Sequence, residues 1–355
     1  MTHTEFIHKF VNKYIIMKSS HFNIRLQAAR QMAGLSMKQL SEKTLCTVTK
    51  QSISKYEKGL MMPKAETLDA LSAALNISNG YFSGESIRLN TPMLRNALGE
   101  ALPEDEVEMV EAQLAFWAEQ YIAAEKIAGM ERQFDNPLKS LSITDASDAS
   151  DAADLLRQAW HCGDGPIPSV LRLMERKGIK MLNERLPGGV LGLSTWANDS
   201  YPLVVVDMAN EKHTVERLRF TASHELGHLV LNIPDTVQGK DREKLCDKFA
   251  GCFLLPKSTL MEEMGSTSRQ SVALDELIDL REAYGVSIAA LVHELWDFRI
   301  ISREQYDWWF NERIKKNSKE TGWGEYLFPE TIGREKRIVS RINNITVEGK
   351  VVWQT

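Results

Sequence analysis

The sequence has little of what marks secreted or membrane proteins. Its 355 residues include only four cysteines, which form no CxxC pair and no spacing typical of a disulfide framework. No apolar run approaches the roughly 20 residues that a membrane span requires. We therefore expect a cytoplasmic protein that keeps its thiols reduced and makes no contact with a membrane.

The chain also contains no internal repeat and no phosphate-binding glycine loop. The composition is 43% hydrophobic and 26% charged, which is ordinary for a soluble protein and unlike that of a disordered one. At this length the chain can form two domains, each with a substantial core.

Charge is distributed unevenly along the sequence. Residues 1–90 contain 12 Lys and Arg against 6 Asp and Glu, a net charge of +6. Residues 100–135 contain 10 acidic against 2 basic residues, a net charge of −8. Because nucleic acid is a polyanion, the first segment can sit on a phosphate backbone, whereas the second would be repelled by it.

One short stretch, Phe220 to Asn232, carries the clearest chemistry. His224 and His228 lie four residues apart with Glu225 between them, which is an HExxH pattern. On a helix both imidazoles can face one metal ion, while Glu225 reaches a water bound to that ion. Zinc with three protein ligands keeps a position open for such a water. The pattern predicts a Zn²⁺ site with Glu225 as general base; the alternative is a chance spacing on an ordinary helix.

The third zinc ligand has to come from another part of the chain, because Leu231 and Pro234 occupy the positions where the metzincin pattern has a glycine and its third histidine. The stretch Asp241 to Pro256 reads as a helix with Glu243 and Asp247 on one face. Glu243 is the predicted ligand. Asp247 is placed to accept the free N–H of a ligating histidine and fix its tautomer. The alternative is that both are solvated surface acids.

These residues resemble the ImmA/IrrE family of zinc metallopeptidases. The resemblance implies a compact zincin-like fold with the same three zinc ligands and the same base, and it extends more weakly over Asp151 to Tyr306. Cys246 and Asp247 stand where the family has Ala and Asn. The match is carried by Arg219-Phe220, His224 to His228, Glu243 to Ala250 and Leu254 to Pro256.

The basic N-terminal segment predicts five short helices. Ser36 and Thr49 are typical helix-capping residues, Gly59 ends a helix, and Pro63 breaks the chain before the fourth helix. The third helix, Lys50 to Lys58, has the chemistry of a recognition helix, because polar side chains at its start can reach base edges and its lysines can reach phosphates. A solvated five-helix bundle is the alternative. The candidate DNA contacts are Thr49, Lys50, Gln51, Ser52, Lys55 and Lys58.

The string Leu26 to Glu57 resembles the XRE (Cro/repressor-like) helix-turn-helix family, and the resemblance covers roughly residues 20–85. It implies binding to an operator in duplex DNA. Two departures stand out: Met37 replaces a polar residue that contacts phosphate in this family, and the turn from Thr44 to Thr47 is two residues longer than usual. We expect the first departure to weaken the grip on phosphate and the second to change the helix angle.

Two segments join the predicted domains. Glu104 to Glu131 has apolar residues at helical spacing and an acidic face. This helix either packs back on one domain or forms a homodimer that spaces two DNA-binding modules, and the sequence favours neither. Asn136 to Ala153 is rich in Ser, Thr and Asp and is the predicted flexible linker and cleavage site.

Three strands are predicted before the metal-binding helix, at Gly178 to Leu182, Val190 to Ser194 and Pro202 to Asp207. The last of these lies immediately before the HExxH helix. It could therefore bind an extended peptide by adding a strand, although structural packing would explain it equally well.

These patterns predict an α+β chain. Its parts are an all-α five-helix helix-turn-helix domain at 20–88, a connecting helix and linker at 89–152, a zincin-like metallopeptidase domain with a small sheet packed on the HExxH helix at 153–310, and a C-terminal tail at 311–355. The expected function is a DNA-binding transcription regulator whose zinc endopeptidase relieves repression by cleaving a repressor, a partner protein encoded nearby or itself, in a mobile-element, stress or toxin–antitoxin-like operon. The alternative is an antitoxin or repressor whose zincin domain binds a partner without proteolysis.

Overall fold

A computed structural model describes residues 22–77, 79–83, 87–90, 102–209 and 214–346. Within these ranges no helix is long and apolar enough to cross a membrane. The strands are β1 (Lys180–Asn183), β2 (Gly192–Ala197) and β3 (Tyr201–Val206). The helices are α1 (Phe22–Met32), α2 (Met37–Lys43), α3 (Lys50–Glu57), α4 (Ala65–Leu75), α5 (Glu104–Ala128), α6 (Ala146–Trp160), α7 (Val170–Arg176), α8 (Val215–Val230), α9 (Lys240–Leu254), α10 (Lys257–Met264), α11 (Leu274–Tyr284), α12 (Ile288–Asp297), α13 (Arg303–Trp308) and α14 (Arg334–Thr346).

Helices α1 to α4 and a 3₁₀ turn at Asn79–Ser83 form the N-terminal domain. Ser36 and Gln39 cap the start of α2 reciprocally, since each side chain bonds the backbone N–H of the other. Arg30 on α1 holds α3 in place through a bidentate ion pair with Glu57, with N–O distances of 2.6 and 2.9 Å. The predicted α+β class and its N-terminal helical domain are confirmed.

The long turn between α2 and α3 stays tied to both helices. The Thr44 hydroxyl donates to the carbonyl of Ser41 at 2.8 Å and accepts from the N–H of Val48 at 3.3 Å. Between these anchors Leu45 and Cys46 adopt left-handed conformations, with φ of 53° and 58°. The two extra residues therefore project outward, and the side chain of Leu45 is 87% exposed.

The sheet has the strand order β1-β3-β2, with β1 parallel and β2 antiparallel to β3. The strand predicted at Pro202 to Asp207 corresponds to β3, which is central and has neighbours on both edges. Of the two interpretations of this strand, addition of a peptide at its edge is therefore wrong, and structural packing accounts for it. Chain order places β3 next to the HExxH helix, but sheet order depends on which strands pair, and the chain returns through β2 before β3.

The two faces of the sheet belong to different cores because side chains alternate along a strand. Val204 and Val206 lie in a large core with α6, α8 and α9. Leu203 and Val205 lie in a second core with α5. All four side chains are essentially inaccessible to solvent. The sheet thus separates the layer that holds the candidate metal ligands from the layer that faces the DNA-binding domain.

Helix α5 connects the two domains and contributes to the cores of both. Its residues Trp117 and Tyr121 pack on the sheet, whereas Phe116 enters the core of the N-terminal domain. Phe116 meets the Tyr81 ring with centroids 5.0 Å apart, and Glu119 pairs with Arg25 of α1 at 2.7 Å. The helix therefore packs back within the chain, as one of the two interpretations expected, but it does so on both domains.

The segment predicted as a flexible linker, Asn136 to Ala153, is folded, and that prediction is wrong. Leu138 and Ile143 are buried in the large core. The Asn136 amide donates to the carbonyl of Val230 at 2.9 Å, and the backbone of Ile143 bonds that of Asn232 at 3.1 Å. The serines and aspartates that look like a loop in the sequence include an N-cap, and the alanines between them let α6 pack closely on α9.

Residues 311–346 are part of the fold rather than a separate tail. Trp323 is buried in the large core. Helix α14 packs on α5, where Arg334 pairs with Glu125 at 2.7 Å. Glu125 also pairs with Lys180 of β1 at 2.7 Å. These three groups are almost fully buried and join α5, β1 and α14. Residues 347–355 of the predicted tail and 91–101 of the predicted connector lie outside the described residues.

Candidate metal centre and nucleic-acid interface

The candidate metal centre lies where α9 packs along α8. Thr214 caps α8 by accepting a hydrogen bond from the N–H of Arg217 at 3.2 Å. The helices approach closely because Gly227 has no side chain: a Cβ there would lie 3.2 Å from a ring carbon of Phe249 and 3.4 Å from Cα of Cys246. This close packing brings the acidic first turns of α9 to the histidine face of α8.

Three of the predicted residues converge there. The Nε2 atoms of His224 and His228 are 3.0 Å apart. Oε2 of Glu243 lies 3.2 Å from the first and 3.5 Å from the second. A tetrahedral metal with bonds of about 2.0–2.1 Å separates its ligand atoms by roughly 3.3 Å. The two imidazoles and one carboxylate therefore fit zinc in both chemistry and spacing, and they form the one such cluster among the residues that the structure describes.

Both histidines have a partner on the nitrogen that faces away from this point. Nδ1 of His224 lies 2.8 Å from Oδ1 of Asp247, the contact that the sequence predicts. Nδ1 of His228 lies 3.4 Å from the thiol sulfur of Cys246, a contact that sequence analysis missed. When Nε2 serves as the metal ligand, Nδ1 carries the ring proton and donates it to these acceptors. A carboxylate thus orients one ligand and a weakly accepting sulfur orients the other.

The electrostatics of the cluster favour a positive charge at its centre. Burial disfavours the charged form of His224, but hydrogen bonds with Asp247 and Glu243 outweigh it and raise the pKa of His224 to about 10. Hydrogen bonds with the two histidines hold the pKa of Glu243 well below its usual range. Burial raises the pKa of the Cys246 thiol, which therefore remains protonated beside His228.

Glu225 is held against strand β2. The Ser194 hydroxyl donates to Oε2 of Glu225 at 2.6 Å. A Cβ at Gly192 would lie 2.5 Å from a methyl carbon of Thr221 and 3.1 Å from Cγ of Glu225, so only glycine lets the strand lie this close to α8. The roles of Ser194 and Gly192 at this site were not predicted from the sequence. The two residues are separated by one position on a predicted strand, so they lie on the same face. A glycine within a strand often marks a close approach of another element, and this could have placed both toward the helix.

The candidate DNA contacts lie on or next to α3. Lys50, Gln51, Lys55 and Lys58 are exposed, while Ile53 and Tyr56 are buried in the domain core as expected from their spacing. The Thr49 hydroxyl accepts from the N–H of Ser52 at 3.1 Å and contacts its hydroxyl at 3.0 Å. The cap thus uses one lone pair of Thr49, and the outward surface of the helix presents three lysines and one glutamine.

Comparison with known proteins agrees with this division of the chain. Residues 26–82 match a family model described as helix-turn-helix, and residues 174–295 match a peptidase family model described as the IrrE N-terminal-like domain. The chain joins an XRE-type helix-turn-helix domain to an IrrE-like domain. Both resemblances predicted from the sequence are confirmed. The IrrE-like match runs from α7 to α12 and includes the sheet and all three converging residues.

A curated relative is the HTH-type transcriptional regulator ImmR of Bacillus subtilis (strain 168). It is 34% identical over 83 residues, which cover 22% of this chain and 64% of the relative. The alignment thus spans less than two thirds of that protein and a smaller share of this chain. No solved structure matches the chain.

Proposed function

We propose that this chain is a DNA-binding transcription regulator whose IrrE-like domain is a zinc-dependent endopeptidase that relieves repression by cleaving a repressor or partner protein. The observation that carries the proposal is the convergence of His224, His228 and Glu243 beside Glu225. The partial sequence match to a transcriptional regulator supports the regulatory part of this proposal.

His224, His228 and Glu243 would hold the zinc. A zinc ion held there would supply Lewis-acid chemistry, polarising a peptide carbonyl and lowering the pKa of a bound water to about 7. Glu225 is the chain's proton acceptor, because its carboxylate lies on the same helix turn as His224 and is fixed by the 2.6 Å hydrogen bond from Ser194. Ser194 is thus a positioning residue for the base.

The edge of β2 is the strand edge suited to an extended substrate. The carbonyl of Trp196 accepts from Asn90 on the side away from β3, so the backbone groups of Ser194 and Gly192 point the same way. Among the described residues none bonds to those groups. A peptide pairing with this edge would run directly past Glu225. The edge of β2 therefore takes the peptide-binding role that the sequence had suggested for β3, the central strand.

The helix-turn-helix domain supplies the DNA-binding half. The exposed lysines of α3 contact phosphates and Gln51 reads base edges in duplex DNA. Self-cleavage between residues 136 and 153 is disfavoured, since that segment is held by buried side chains and backbone hydrogen bonds. A separate protein, encoded beside this chain, is the better substrate.

The test compares the wild-type chain with Glu225→Gln, using Glu262→Gln as an exposed-glutamate control. Each is expressed with a reporter on the native promoter and with the product of the adjacent gene, with and without DNA damage. We expect the wild type and the control to cleave the partner and raise reporter output, whereas Glu225→Gln does neither. Equal repression by all three in every condition would refute the peptidase half and favour a domain that binds its partner without cutting it.

A further inference from the structure

A cavity of about 760 Å³ shares helix α8 with the candidate metal centre. Phe220 in its wall lies one helical turn, about 6 Å along the axis, before the ligand His224. Leu191, another lining residue, directly precedes Gly192 at the edge of β2. An extended peptide that pairs with this edge and passes Glu225 would therefore continue toward the cavity.

Apolar side chains form part of the cavity wall. Its volume lies within the range of about 300–1,000 Å³ typical of ligand pockets. Helices α8 and α9, which hold the metal ligands and Glu225, also contribute to it. The apolar side chains that line it are Leu186, Leu191, Phe220, Leu254, Val286, Ala289 and Ala290.

The acidic groups of the cavity are already bound within its floor. Glu216 and Glu320 both pair with Arg281 at 2.9 Å. Glu320 also accepts from two backbone N–H groups at the start of α12, at 2.8 and 2.9 Å. Asp207 is buried and accepts from the N–H of Ala209 at 3.2 Å. These carboxylates therefore have partners and do not face the opening with free charge.

The rim of the cavity is different, because it carries three exposed cations: Arg185, Arg217 and Lys319. They come from three separate segments, namely the loop after β1, the first turn of α8 and the turn that precedes Glu320. None of the three forms an ion pair with any residue that the structure describes. Three exposed cations from separate segments, next to apolar lining and to acids that are already paired, complement a peptide with an apolar side chain flanked by acidic ones.

We infer that this cavity selects the substrate: it takes an apolar residue of an extended peptide, while Arg185, Arg217 and Lys319 bind acidic residues beside it. The inference rests on the proposed peptidase function and adds to it the chemical class of the substrate. It assigns a specificity role to three residues that are neither metal ligands nor the proposed base.

The experiment uses the full-length, zinc-loaded Glu225→Gln protein, which binds peptide without cutting it. Two fluorescent peptides are compared by anisotropy, one with a leucine flanked by glutamates and the other with those glutamates replaced by glutamines. We expect the glutamate peptide to bind about five- to tenfold more tightly at low salt, with the difference shrinking as salt rises.

Changing Arg185, Arg217 and Lys319 together to Gln should reduce this ratio to near one. Lys316→Gln is the matched control, because Lys316 lies on the same turn as Lys319, pairs with Glu312 at 2.6 Å and is not part of the cavity. The inference would be overturned if both peptides bound equally or if the affinity ratio were unchanged in the triple variant. It would also be overturned if inorganic phosphate displaced both peptides to the same extent.

Failure of the inference and failure of the proposed function give different results. If the wild type cleaves peptides without preferring glutamate to glutamine, the endopeptidase stands and the inferred selectivity fails. If Glu225→Gln binds the acidic peptide selectively but the wild type cleaves neither peptide, the binding site stands and the endopeptidase fails.

Discussion

Replacing Glu125 with Gln should destabilise the junction between the two domains more than any exposed substitution on α5. The Glu125 carboxylate lies 2.7 Å from both Lys180 and Arg334, and all three side chains are at most 4% exposed. The variant keeps the volume but leaves two buried cations without their counter-charge. Breaking a buried pair in this way costs about 3–5 kcal/mol.

The loss should depend on pH through Lys180. Burial lowers the pKa of Lys180, and the hydrogen bond and charge of Glu125 oppose that effect. Without Glu125 the pKa falls further, so the unfolded state binds more protons than the folded state between the folded and unfolded pKa values. Stability therefore rises with pH across that window. The destabilisation should be largest near neutral pH and smaller in alkaline solution, with a remainder from Arg334, whose guanidinium also loses its counter-charge.

The assay is urea denaturation at two pH values, combined with hydrogen exchange of α5 and β1. Glu131→Gln serves as the control, because Glu131 is an exposed acid just beyond the same helix, and it should change stability by less than about 0.5 kcal/mol. If Glu125→Gln matches the control, or if its loss does not vary with pH, the buried charges are not coupled as described.

Other predictions concern the two candidate sites. His228→Ala should lose most of its zinc in metal analysis of protein purified without chelators, and retention of one zinc per chain would contradict the ligand assignment. Asp247→Asn should weaken zinc binding by about tenfold in a chelator competition titration, because the amide oxygen that replaces the carboxylate is uncharged and accepts the His224 ring N–H less strongly; an unchanged affinity would count against that role. In the full-length chain, Gln51→Ala should relax base preference, whereas Lys55→Ala should weaken binding to all duplexes and lower the salt slope by about one; the reverse pattern in titrations at several salt concentrations would reassign both. Gly192→Val should abolish peptide cleavage while metal content is kept, since even a Cβ would lie 2.5 Å from a methyl group of α8, and normal turnover would show that β2 need not lie so close.

Sequence patterns predicted the local structure well where single residues determine it. The caps at Ser36 and Thr49 start α2 and α3, and the runs of Val and Leu form β-strands close to their predicted bounds. His224 and His228 share a face because spacing of four on a helix leaves no other outcome. The approach of Glu243 to them followed from a second helix with an acid at a compatible position.

What the sequence could not give was the pairing of distant segments. Asp145 looked like part of a polar linker, but it caps α6 through its bonds to two backbone N–H groups, and burial of the following alanines depends on α9, which comes much later in the chain. Likewise, nothing local shows that Ser194 meets Glu225 or that Cys246 meets His228. Those contacts arise from how β2 and α9 pack on α8, which is set by shape and volume across the whole core.

Helix α5 is buried in the cores of both domains, and this determines where the chain can be cut or bent. Trp117 and Tyr121 on one side of the helix and Phe116 on the other would all meet water if the helix separated from the two domains. A DNA-binding fragment that stops at residue 88 would thus lose one wall of its own core, and the smallest fragment expected to fold ends at Gly129, where the chain leaves α5 in a left-handed turn with φ of 60°. The same helix leaves no hinge between the described parts of the two domains. Any proteolysis at the candidate metal centre should therefore affect DNA binding through the fate of a second protein, and not through a swing of one domain away from the other.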